Sequence, residues 1–574
     1  MASMKIIFQL VVFLSLFTNS SFSQEINLKN NDSVVFIGDE LTQQTLYTQY
    51  LENFFITQNP DIRLKFHNAG INYSTSQDVI DRFAEDVASY KPKYAFILLG
   101  RHDAAFRKFN YKDLNGFTSR LSLLIESLKD IGAKAILISP TPFEAHKLKN
   151  KTISSDYNET LAYYSAAVRK LALEYDCPFI DLYSELNAES YQKRQQNPDE
   201  SITHDGLNLK ESYHALVASR IIKALGFKSL KTKIAIHFKN KMITEVKHSS
   251  GSVIKTGKHY FSVQPRYLPW YGVHDFVASR ESEKLSVTGL DEGLYLVKIN
   301  QKHIAYWTAA ELREGVDLSR AKHSPQSRHA QNIKDLNAIR NSHLIALRKM
   351  WNARIKYEKL SQLNQSTEGE RAKLVRLKAR LSGFEYRQDK ILAQADKLLN
   401  QIYKIAKPSK LVFEFLPATS LAPINYSKTE LKPGLNYKSY ISPKDTFWDR
   451  LPDFDLLTVH DSGKVKKPSL SVKPQADNFA IVFKGFIKIP KDGLYTFTLN
   501  SDDGAKLYLN KKVIVDHDGL HSRTEKFNRI PLTKGVYPFK LEFFESVGYE
   551  GVFLYWSSTD LKREEVPESA YFSE

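Results

Sequence analysis

Residues 33–42, reading Ser-Val-Val-Phe-Ile-Gly-Asp-Glu-Leu-Thr, constrain the fold more than any other stretch of the chain. A short apolar run ends in Gly38-Asp39 and passes at once into a helical pattern. That is a buried parallel strand delivering a tight turn to a helix, the place where open α/β sheets carry their chemistry. The pattern repeats. Apolar runs at 34–37, 64–67, 94–99, 135–140 and 179–182 are separated by helical spacings near 43–56, 76–89, 116–131 and 156–175. Repeated strand–helix order predicts a mostly parallel sheet covered on both faces.

At 574 residues the chain exceeds one hydrophobic core and predicts several units. Its N-terminus has the form of a secretory segment, 1–23: Lys5, an apolar stretch from Ile6 to Phe17, then Ser21-Phe22-Ser23 before Gln24. The apolar stretch is too short to span a bilayer, and no cysteine follows to carry a lipid anchor. An exported protein, periplasmic or extracellular, is expected, without a membrane span. Cys177 is the only cysteine, which excludes internal disulfides and favours a bacterial envelope compartment over animal extracellular space. Ahead of an apolar run, it reads as inert packing.

The net charge of +17 suggests an acidic partner or a solvated basic face on long helices. No zinc-finger spacing or RNA-recognition signature favours nucleic acid.

Gly38-Asp39-Glu40 resembles the first conserved block of the SGNH (GDSL) esterases and lipases, which reads Gly-Asp-Ser. Further landmarks follow in order: Asn68-Ala69-Gly70, Gly100-Arg101-His102-Asp103 and Asp205-Gly206-Leu207-Asn208. The resemblance implies a flavodoxin-like three-layer α/β domain over 24–228, with Asp39, Glu40, Gly70, His102, Asp205 and Asn208 at the catalytic positions. Glu40 stands where the family has its serine nucleophile, His102 where asparagine serves the oxyanion, and Asn208 where the triad has histidine. Loss of one triad member typically costs ~10^4 to 10^6 in rate, and two are missing. Asp39, Glu40, His102, Asp103, His204 and Asp205 are expected to converge at the strand ends. They could do acid–base work, hold a divalent metal, or merely stabilise the turns.

From Ile234 the pattern shortens to alternating runs, predicting a small antiparallel β-unit over 229–312 with an aromatic loop at 267–271. Helical spacing then predicts a hairpin over 313–410, broken at 365–369. One stripe holds Leu344, Leu347, Trp351 and Ile355; another holds Leu374, Leu377, Leu381 and Phe384. Its basic outer face reads as a spacer or as a partner-binding surface.

Residues 425–574 alternate regularly between strands and turns, predicting an all-β sandwich. The stretches Ser501-Asp502-Asp503-Gly504 and Val515-Asp516-His517-Asp518-Gly519 closely resemble the PA-fourteen (protective-antigen) domain. That resemblance implies carbohydrate binding through Asp502, Asp503, Asp516 and Asp518, and in adhesin members the adjacent aspartates hold calcium. Oxygen-rich Asp502 and Asp503 suit calcium; a plain strand-turn is the alternative.

The expectation is therefore an exported, multidomain protein that recognises a polysaccharide or glycoconjugate, anionic ones included, with an impaired SGNH-like domain. Two readings stand beside it. One is an active carbohydrate esterase using Asp39, Glu40, His102 and Asp205; the other is a structural envelope protein.

Overall fold

The computed structural model describes residues 26–148, 153–227, 230–270, 283–318, 321, 324–362, 367–424, 431–444 and 446–574. The expected secretory segment lies outside them, as do Tyr271 of the aromatic loop and residues 365–366 of the expected helical break.

The first domain contains five parallel strands, β1 (Ser33–Gly38), β2 (Lys65–Gly70), β3 (Tyr94–Leu98), β4 (Lys134–Ile138) and β5 (Phe179–Ile180). Their order is β2-β1-β3-β4-β5. Strand periodicity divides β1 between two cores. Val34 and Phe36 pack on one face with the helices Leu46–Gln58 and Glu211–Ala224, while Val35 and Ile37 pack on the other with Tyr111–Asp130 and Tyr157–Glu174. This is the expected three-layer α/β arrangement. The chain order reverses between β1 and β3, so their carboxyl ends form the topological switch point where such sheets bind ligands. The helix expected near 116 begins earlier, at Tyr111, because Asn110 Oδ1 accepts the Lys112 and Asp113 N–H groups. Cys177 is buried in the second core, and burial pushes its thiol up to about 11.

The middle segment differs from its expected organisation. One sheet runs Val316–Asp317, Glu283–Thr288, Thr232–Lys239, Met242–His248, and its central pair is parallel. A second runs Lys302–Thr308, Leu294–Ile299, Leu411–Pro417, Tyr260–Pro265, Gly251–Thr256. Its central strand, Leu411–Pro417, comes from beyond the helices and buries Phe413 and Phe415 against Phe261. The helices are thus an insertion within the β-unit.

They number three among the described residues: Pro325–Gln362, Glu368–Leu381 and Phe384–Ile405. The second stripe breaks between Leu381 and Phe384, where Gly383 adopts a left-handed φ of 64°. The long helix Pro325–Gln362 is no free spacer. Arg340 pairs with Glu52 (Nη1–Oε1 2.8 Å), and Arg348 makes two hydrogen bonds to Asp86, one of them 2.6 Å, fastening the helix to the first domain. The aromatic loop docks there too: Trp270 packs edge-on against Phe54 and donates to the Tyr50 carbonyl at 3.1 Å.

The C-terminal module is two antiparallel sheets facing one another over a shared core that includes Phe483, Tyr495, Phe497, Leu541 and Trp556. The longest pairing joins Phe479–Ile489 to Gly535–Glu545.

Candidate functional site

β1 delivers Gly38 and Asp39 to the switch point. A Cβ at Gly38 would stand 2.1 Å from Thr42 Oγ1, and one at Gly70 would stand 2.4 Å from the Gln43 backbone nitrogen. Both positions require glycine so that the short helix Glu40–Gln43 can pack across the strand ends. Asp39 caps that helix, its Oδ1 accepting the Leu41 N–H at 3.0 Å.

Glu40 is held at both oxygens. Oε1 is ion-paired with Arg101 Nη2, and Oε2 lies 2.6 Å from His102 Nε2. Arg101 Nε also donates to Asp39 Oδ2 at 3.1 Å, and Nη1 donates to the Leu207 carbonyl at 2.8 Å. Arg101 is buried, and Tyr157 OH donates to its carbonyl. Burial opposes ionisation of Glu40, but the Arg101 charge and the His102 hydrogen bond outweigh it and hold the carboxyl at about 2. Asp39 moves the other way: burial raises it, against the pull of Arg101. Burial disfavours the Arg101 charge, yet Asp39 and Glu40 raise its pKa well above the ordinary value. Asp39, Glu40 and His102 could geometrically approach one metal ion. The Arg101 guanidinium already contacts an oxygen of each carboxylate and His102 holds the other Glu40 oxygen, so a second cation would meet a positive charge there and the set does not fit a metal ion.

The remaining catalytic positions are also occupied. The Gly70 N–H donates to Asn68 Oδ1 at 2.9 Å, while Asn68 Nδ2 donates to the Thr42 carbonyl. Asn208 donates to Asp205 from both its backbone (2.7 Å) and its side chain (2.7 Å), and its Oδ1 accepts from Gln44 Nε2 at 3.3 Å. Burial raises the Asp205 pKa, but these bonds and the Leu207 N–H bring it below the ordinary value. Asp103 does not join the expected group. It turns away to accept from Ser76 N and Oγ and from Arg120. His204 is exposed, its backbone N–H paired with the Asn208 carbonyl.

Arg101 is the residue whose role sequence reasoning missed. It lies inside the Gly100–Asp103 landmark at a position to which the resemblance assigns no role, yet it joins β1, β3 and the 205–208 loop.

The second cluster lies in the C-terminal module. Asp502 ends the strand Gly493–Asp502, and Glu545 ends Gly535–Glu545. Ligand oxygens of Asp502, Asp503 and Glu545 all lie within 4.8 Å of one another. Asp503 accepts from the His521 and Ser546 N–H groups (3.1 and 3.0 Å), and its own N–H donates to Glu545 Oε2 at 3.1 Å. Glu545 is fully buried and its Oε1 has no hydrogen-bond partner. Burial first, then the Asp503 and Asp502 charges, push its carboxyl up to about 8. Among the described residues no lysine or arginine pairs with the three. A hard cation would satisfy the orphaned oxygen and the uncompensated charge, so the residues fit calcium. Asp516 and Asp518 stand outside this group. Lys506 Nζ lies 2.9 Å from Asp518 and 3.8 Å from Asp516, and Asp518 Oδ1 accepts from Leu451 and Gly519.

Residues 36–218 match the model of the GDSL-like lipase/acylhydrolase family, and residues 461–570 match that of the PA14 domain. The chain therefore carries an SGNH-type acylhydrolase domain and a PA14 domain. An acetylxylan esterase of Geobacillus stearothermophilus is 20% identical over 225 residues, spanning 36% of this chain and 98% of that protein. The uncharacterized lipoprotein YqeF of Bacillus subtilis is 38% identical over 77 residues, 13% of this chain and 32% of that protein. A solved gut microbial diltiazem-metabolizing enzyme superposes with a TM-score of 0.61 at 20% identity, covering 69% of this chain and all of that one. That likeness is one of fold. No helix among the described residues is long and apolar enough to cross a membrane.

Proposed function

We propose that this is an exported glycan-recognition protein whose acylhydrolase domain no longer turns over esters by the serine mechanism. The observation that carries the reading is the lock on Glu40 between Arg101 and His102. An ionised carboxylate held by two donors is a weak nucleophile toward an ester, and its charge repels an oxyanion forming beside it. Asn208 cannot shuttle a proton, and the Gly70 N–H already has an acceptor. Recognition falls to the PA14 domain, where Asp502, Asp503 and Glu545 would hold calcium, and calcium supplies coordination positions for sugar hydroxyls. The loop after Glu545 presents Tyr549, 90% exposed, as a stacking surface for a sugar ring. Export is supported by the N-terminal sequence pattern and by the lipoprotein relative. The test is glycan binding by the full mature chain on acetylated and de-acetylated xylan and on pectin. Binding lost on chelation and in Asp502→Asn supports the reading; binding indifferent to both contradicts it.

A second reading has one observation in its favour. Glu40 and His102 form a carboxylate–imidazole pair able to activate water, and the acetylxylan esterase relative spans the same domain. It requires turnover that Glu40→Gln abolishes.

A further inference from the structure

A cavity of about 470 Å³ lies between the first domain and the helical insertion, over the edge strand β2 and beneath the long helix. Its size lies within the ~300–1,000 Å³ range of small-molecule sites. Four cationic residues line it: Arg63, Lys65, Arg340 and Arg348. Among the described residues Asp396 is the one acid on the wall.

The carboxylates behind the wall do not cancel this charge. Asp86, fully buried, is shared by two buried guanidiniums, Arg82 (Nε–Oδ2 2.9 Å) and Arg348. Those two arginines therefore leave one positive charge in excess. Glu52 pairs with Arg340 but is saturated, because Asn337 and Asn341 also donate to it at 3.0 and 3.1 Å. Arg340 Nε–H is left buried without an acceptor, in a residue only 4% exposed. A buried charged donor without a partner is costly, and it adds to the positive potential behind the wall. Arg63 and Lys65 have no carboxylate partner among the described residues; Arg63 stacks on Tyr403 and donates to Asn400.

The rest of the wall mixes polar residues, Asn31, Ser33, His67, Asn68 and Asn400 among them, with an apolar face. Phe66, Leu344, Leu347 and Leu399 face the same space. An inorganic anion would leave that surface wet, and a neutral apolar molecule would leave the cationic side unmatched.

We infer that this cavity is a binding site for a small organic carboxylate with an apolar body. Its carboxylate is attracted by Arg63, Lys65 and the surplus charge of Arg348, and its body packs on the leucines of the long helix. The site is separate from the Glu40 cluster and from the PA14 carboxylates.

Isothermal titration of the full mature chain at constant ionic strength tests this with three probes: cinnamate, its neutral analogue cinnamyl alcohol, and sulfate. Cinnamate should bind at one site, with the alcohol and sulfate each weaker by at least about tenfold. Leu344→Trp, which fills the cavity, should abolish binding. Arg63→Ala with Lys65→Ala should weaken it by roughly threefold to tenfold, and these exposed or half-buried positions leave the fold intact. If Leu344→Trp fails to melt cooperatively, the paired rim variant decides alone. Absence of cinnamate binding would overturn the inference. So would equal affinity for the alcohol, binding of sulfate without cinnamate, or full binding by a folded Leu344→Trp or by the rim variant.

Discussion

Arg101 and Glu40 form an ion pair at the end of β3, and Glu40 stands where the sequence resemblance places a serine nucleophile. The same guanidinium reaches Asp39 and the Leu207 carbonyl, so one side chain bridges the ends of β1 and β3 and the 205–208 loop. What remains at the switch point is a closed electrostatic knot.

Removing the cation should therefore cost far more than removing a surface charge. Arg101→Met leaves Asp39 and Glu40 buried without their partner, and a loss of about 3–5 kcal/mol is expected at pH 7. The loss should shrink on acidification to pH 4, as the stranded carboxylates become protonated. Urea denaturation at the two pH values checks it.

Glu40 itself makes stability pH-dependent. Its folded pKa of about 2 lies below the ordinary value of 4.5, so the folded state releases the proton more readily. The contribution is present above the unfolded value and is lost as pH falls from about 4.5 through about 2. Glu40→Gln should flatten the acid limb of the melting profile in that window, and an unchanged limb would contradict the ion-pair account.

In the PA14 domain the sign reverses. Glu545 is raised to about 8, so without an ion the fold is favoured by its protonated form, and this advantage declines as pH rises from about 4.5 through about 8. Calcium should displace that proton. Titrations in buffers of different ionisation enthalpy should show about one proton released per ion near pH 7, with affinity rising toward pH 8. Glu545→Gln should remove both the proton release and the calcium-induced rise in Tm.

The helical insertion depends on Asp86. Asp86→Asn leaves Arg82 and Arg348 without their carboxylate, and a loss of about 3–5 kcal/mol follows. Limited proteolysis should then cut first within Pro325–Gln362, because one of its two ionic anchors to the first domain is gone and only Arg340–Glu52 remains.

The sheet of the first domain was legible because β1 is buried on both faces, which leaves an unbroken apolar run. Glu40 and Asn208 stood out in the sequence because their neighbours keep the spacing on which the resemblance rests. Arg101 was not, since a cation's role depends on which carboxylates the fold brings to it. Glu545 lies 42 residues from Asp503 and ends a strand of aromatic and acidic residues, with nothing local to mark it as the third carboxylate of a cluster. The strand Leu411–Pro417 begins 112 residues after the end of its partner Leu294–Ile299 (411 minus 299), and such long-range pairing leaves no local signal. Asp516 and Asp518 show the converse. A motif pointed to a ligand site, but Lys506 arrives from the adjacent strand and pairs with both carboxylates.

The most direct measurement is ester turnover by the purified mature chain on acetylated xylan and a nitrophenyl ester, beside Glu40→Gln and a Glu40→Ser/Asn208→His double variant. The account predicts no turnover above background in the wild type or in Glu40→Gln, and a measurable gain in the double variant, where a nucleophile and a base return to the sheet end. Wild-type turnover abolished by Glu40→Gln would contradict it and make the Glu40–His102 pair a working site.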